Sequence, residues 1–121
     1  MIEEDYVSFE IAKLLKEKGF DENCSRSYVK DKLAVSQGFN NSYYTTMYSD
    51  ASYRPVSAPT LQMAMKWLRE VHHITIGITF SLDIITYEIQ KDEKFITAIG
   101  SSRSYEDMVE EAIKYCLENL I

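Results

Sequence analysis

Apolar residues recur along this chain with two different periods. Phe9, Ile11, Ala12, Leu14 and Leu15 share one side of a helical repeat, with Glu10, Lys13, Lys16, Glu17 and Lys18 opposite, so a helix is predicted over 9–18. Ser8 can cap its start, Gly19 suits the left-handed position past its end, and Phe20 can fold back on the last turn. Leu61, Ala64, Met65, Leu68 and Val71, widened by Met63 and Trp67, predict a second helix. Pro59 is well placed near its first position, and the helix ends near His72 or His73. From Ile74 the period drops to two. Ile74, Ile76, Ile78, Phe80 and Leu82 face one way; Thr75, Gly77, Thr79 and Ser81 face the other. Asp83 marks a turn, and a second strand runs over 84–90 with Ile85, Tyr87 and Ile89 in register. Lys91–Lys94 reads as a polar hairpin loop and Phe95–Ile99 as a third strand. A last helix over 105–120 carries Tyr105, Met108, Val109, Ala112, Ile113, Cys116, Leu117 and Leu120 as its apolar stripe. Ser104 and Asp107 stand in capping-box positions at its start.

The order is helix, irregular β-like segment, helix, three strands, helix. Short loops make consecutive strands antiparallel, and three strands need helices over one face. The expectation is an α+β fold: one domain spanning 1–121, a three-stranded antiparallel sheet packed against amphipathic helices as a two-layer sandwich. Tyr43–Tyr48 is rich in Tyr and Thr, which favour strands; residues 21–57 read as an irregular hairpin or a long ordered loop, and a strand from 28–48 can extend the sheet.

Composition narrows the function classes. The net charge is −6. It is uneven: residues 1–22 and 104–121 each carry −4, and the middle carries +2. Broad duplex binding feeds on clustered Lys and Arg, so nucleic acid is not the expected partner. The start, Met1-Ile2-Glu3-Glu4-Asp5, lacks the basic-then-apolar pattern of a secretory signal, and no apolar run approaches bilayer length. The expectation is a cytoplasmic protein with no membrane contact. Cys24 and Cys116 lie far apart and form no metal or redox motif.

Trp67-Leu68-Arg69-Glu70, Ser104-Tyr105-Glu106-Asp107, Glu110-Glu111-Ala112 and the ending Cys116-Leu117-Glu118-Asn119-Leu120-Ile121 give the chain a family look. Over 58–121, and more weakly over 7–21, it resembles small uncharacterised proteins of Bacteroidales genomes, many carried by phages or other mobile elements. The resemblance implies a bacterial, cytoplasmic setting and a mobile-element origin; it carries no activity and no site residue.

The residues show no catalytic, cofactor or metal signature. His72 and His73 are adjacent, so they cannot share a helical face as ligands spaced four apart do. Glu106, Asp107, Glu110 and Glu111 read as a solvated helix face that also suits the helix dipole. The distinctive stretch is Tyr28–Tyr53. Tyr28, Tyr43, Tyr44, Tyr48 and Tyr53 stand in it, and between Leu33 and Met65 the only charges are Asp50 and Arg54. Tyr among Ser, Asn and Thr is the mixture of protein-binding surfaces. These five tyrosines and Arg54 are the candidate interface, for an unnamed protein or a second copy in a homodimer. The competing structural account is that the rings close the core. The reading is a non-enzymatic binding or accessory protein. Two alternatives are a small enzyme with a His-containing pocket and a single-strand nucleic-acid binder using the tyrosines with Arg26, Lys30, Lys32 and Arg54.

Overall fold

In a computed structural model covering residues 2–29, 31–35 and 55–121, contacts fall into two compact units, Tyr6–Thr60 and Met1–Asp5 with Leu61–Ile121.

In the unit Tyr6–Thr60, Ser8 Oγ accepts the Ile11 N–H at 3.3 Å and starts α1 (Phe9–Glu17). The helix ends as its glycine predicts. Gly19 turns left-handed at φ 96°, its N–H reaches the Lys16 carbonyl, and the Phe20 N–H reaches Leu15 at 2.9 Å. Phe20 is then buried with Val7, Ile11, Ala12 and Leu15. The chain continues as β1 (Arg26–Val29), β2 (Lys32–Val35) and β3 (Val56–Ser57), with β1 central and both pairings antiparallel. The strand starting near Tyr28 therefore exists, but it builds a second three-stranded sheet instead of extending the first. Its short strands find each other, Tyr28 opposite Leu33 and Val56, and among the described residues they form a sheet of their own.

In the other unit, α2 runs Leu61–His72 and its first N–H is taken by the Asp5 carbonyl at 2.9 Å. Pro59 lies near the start of this helix, two residues ahead of Leu61, and its carbonyl accepts the Val7 N–H at 3.0 Å. β4 (Ile74–Ser81), β5 (Ile84–Lys91) and β6 (Lys94–Ser101) form an antiparallel meander, and α3 spans Tyr105–Asn119. The α+β class is as expected, with three helices and two three-stranded antiparallel sheets among the described residues.

The meander fixes which residues are covered. Ile76 pairs with Ile89, Ile78 with Tyr87, and Phe80 with Ile85, all toward the helices. α2 packs on β4, and α3 packs on β5 and β4. Ile74, Tyr87 and Ile89 of the sheet are buried, as are Leu68 of α2 and Met108, Ala112, Ile113 and Cys116 of α3. Thr75, Gly77, Thr79, Glu88 and Gln90 form an exposed opposite face. Both hairpin turns are two residues long, Leu82-Asp83 and Asp92-Glu93, so the expected four-residue loop is shorter because Lys91 and Lys94 pair as strand residues. Between Ile89 and Gln90 the register slips by one and Ile96 becomes a bulge, which turns Phe95 toward the open face.

Both ends of α3 are tied. Ser104 Oγ accepts the Asp107 N–H at 3.1 Å. The last turn holds no basic residue of its own; instead, Lys91 of β5 donates to the Leu120 carbonyl at 2.6 Å. A cation there meets both an unpaired carbonyl and the negative end of the helix dipole. No described helix is long and apolar enough to cross a membrane. Lys91→Met keeps the side-chain length and removes the charge. It is expected to lower stability by about 1–2 kcal/mol in urea unfolding, because a charge-assisted hydrogen bond and a dipole contact go together.

Candidate functional site

Strand length sets the first candidate. Eight residues of β-strand reach about 26 Å, whereas the helices of twelve and fifteen residues reach about 18 and 22 Å. The β4–β5 hairpin outruns its cover. Phe80, on the helix-facing side, is 66% exposed and stacks on Tyr105 at the start of α3, ring centroids 6.0 Å apart and nearly parallel. Tyr105 is fixed by Gln62, whose amide donates to its hydroxyl at 2.9 Å. Leu82 is fully exposed at the turn, with φ 50°, and Ile84 beside it is half exposed. The alternating pattern places Leu82 on the inward face; the strand stops one residue earlier, at Ser81. A left-handed leucine in solvent carries two costs at once, backbone strain and exposed apolar surface. The signal for this site is in the sequence, since Leu82 sits where hairpin turns take Gly, Asn or Asp.

The second candidate lies at the other end of the same strands. His72 ends α2, and His73 turns left-handed at φ 57° to start β4, its carbonyl accepting the Asp92 N–H at 3.0 Å. Arg69, His73, Thr75, Gln90, Asp92 and Glu93 line a cleft of about 450 Å³. All six residues are exposed. The cleft can hold a polar solute by hydrogen bonds and mixed charge, but it has no dry wall against which to activate a base. The two histidines part company here. His73 lines the cleft, while His72 sets its ring against Trp67, centroids 4.7 Å apart. A cationic imidazole at the helix end is the expectation from the dipole; burial, then Lys91 and His73, instead push the His72 pKa below its ordinary value.

Comparison with protein-family profiles, curated proteins and solved structures finds no match.

Of the tyrosine-rich interface, Tyr28 is half-buried. Its hydroxyl donates to the Val7 carbonyl at 2.7 Å and its ring lies 5.4 Å from Phe9. Tyr43, Tyr44, Tyr48, Tyr53 and Arg54 lie outside the described residues. Of the flanking bases, Arg26 sits over the Tyr6 ring at 5.9 Å, Lys32 is exposed, and Lys30 lies outside the described residues. The acids of α3 do not converge on a cleft. Glu106 and Asp107 are exposed, and Glu111 pairs with Arg103 at 2.7 Å. Among the described residues no group of His, Cys, Asp and Glu is arranged to hold a metal ion.

Both cysteines are free thiols. Cys116 is a core residue, its pKa pushed up to about 12 by burial. Cys24 is half-buried; burial and then the Glu22 carboxylate push it up to about 11. At pH 8 Cys24 is expected to alkylate about a hundredfold more slowly than an unhindered thiol, accelerating as pH rises toward that value, with Cys116 silent until unfolding. Mass-resolved iodoacetamide kinetics measure both.

Proposed function

We propose that this is a non-enzymatic binding protein that acts through protein–protein contacts, with the β4–β5 hairpin tip as the described part of its contact surface. The observation that carries the reading is Leu82, a fully exposed leucine in a left-handed turn, flanked by exposed Phe80 and Ile84. Folding alone favours Gly or Asn there, so an apolar residue that costs stability fits a site kept for contact. The tip is also uncharged apart from Asp83, as the cores of contact patches tend to be. The Tyr-rich stretch Tyr28–Tyr53, charge-poor beyond Leu33, supplies a second candidate surface in the same reading, with Tyr28, Tyr43, Tyr44, Tyr48, Tyr53 and the adjoining Arg54 as its residues. A second copy of the chain is one partner that these surfaces can take. The likeness of the Trp67–Glu70 stretch and the α3 tail to Bacteroidales proteins supports a cytoplasmic, mobile-element setting.

Leu82→Asn separates folding from contact. Asn tolerates the left-handed turn and removes the apolar group, so the variant is expected to gain up to about 1 kcal/mol in stability. It is expected to lose partner capture from the native host, or self-association in sedimentation, relative to the unaltered chain. A variant that loses stability, or keeps every contact, refutes the reading. Tyr44→Ala with Tyr48→Ala tests the other surface in the same assay.

A further inference from the structure

We propose that His72 is a proton-sensitive latch on the last turn of α3: neutral, it leaves Lys91 holding that turn, and protonated, it releases it. Three features meet at this corner. The His72 ring stands edge-on to Trp67, 4.7 Å between centroids and 72° between planes. Its Nε2 is buried and has no hydrogen-bond partner among the described residues. Lys91 of β5, which pairs across the ladder with Ile74, two residues past His72, is the residue whose ammonium donates to the Leu120 carbonyl at 2.6 Å.

Two neighbours among the described residues disfavour a charge on the imidazole. Lys91 comes from β5 and His73 from the α2–β4 junction, while α3 reaches the corner through the carbonyl that Lys91 holds. A proton on Nε2 creates a buried N–H with no acceptor and a cation beside an ammonium. The indole face attracts a cation, but burial and the two neighbours outweigh it and hold the proton affinity below the ordinary 6.5. The strain has two exits. The ring leaves Trp67 for water, or the Lys91 side chain swings away and drops the Leu120 carbonyl. In the first open form His72 regains its ordinary proton affinity, and in the second it is freed of the Lys91 charge and rises part of the way, so acid draws the population toward opening. The latch is whole above the ordinary histidine range, and its contribution is lost as pH falls through the lower folded value.

Trp67 is the chain's single tryptophan, and an imidazolium in contact with indole quenches its fluorescence, so the latch has a built-in reporter. The full chain is titrated from neutral pH toward pH 5, following Trp67 emission and amide-exchange protection factors. The expected result is a fluorescence transition below 6.5 together with about a tenfold loss of protection in the last turn of α3, while β5 amides hold theirs. His72→Phe is expected to abolish both responses, and His72→Gln provides a second uncharged variant should Phe fold poorly. Lys91→Met is expected to show low protection in that turn at both pH values. The same transition in His72→Phe and His72→Gln, titration of His72 at or above 6.5, or unchanged protection when it protonates overturns the proposal.

Discussion

Two helices cover one face of a sheet whose strands are longer than they are, and the rest of the larger unit follows from that shortfall. The covered face takes Ile74, Ile76, Ile78, Tyr87 and Ile89, and the uncovered face takes Thr, Gly, Glu and Gln at the alternate positions. Burial of apolar area is worth about 25 cal/mol per Å², so the alternation has one stable registry under the helices. Past the helices the same alternation has nothing to pack against. Phe80 gains part of a partner in Tyr105, and Leu82 gains none among the described residues.

The two ends of this sheet consequently differ in chemistry. At the β4–β5 end an apolar tip stands in water. At the other end, α2 terminates beside the β5–β6 turn, and the groups that meet are polar or charged: His72, His73, Lys91 and Asp92. Lys91 is central there. It belongs to β5, pairs with Ile74 across the ladder, and supplies the cation that the end of α3 lacks. A helix end and the environment of one histidine depend on that single side chain.

Most of the fold can be read from local patterning. Ser8, Gly19 and Ser104 mark helix ends through bonds made within a few residues, and each forms as its type predicts. The strands from Ile74 onward are legible because one wet face and one dry face impose a period of two. The short strands β1–β3 are harder to read. β3 is two residues long and pairs with β1 across about thirty positions, and no local pattern encodes such a partner. The two candidate sites were legible in part. Leu82 at a turn position is visible in the sequence, but its exposure depends on how far the helices reach. Arg69, Asp92 and Glu93 come from separate elements, and their meeting around His73 has no linear signature.

By itself, then, the sequence determined the helices, the meander and its α+β class, because those rest on periodicity, capping and turn chemistry between near neighbours. Tertiary structure decided what depends on distance and cover. It made a second sheet from the short strands. It exposed Phe80 and Leu82, turned one of two adjacent histidines inward against Trp67, and assigned a strand lysine to close a helix. Each of these depends on which atoms exclude water from which others, and that is a property of packed elements, not of neighbouring residues.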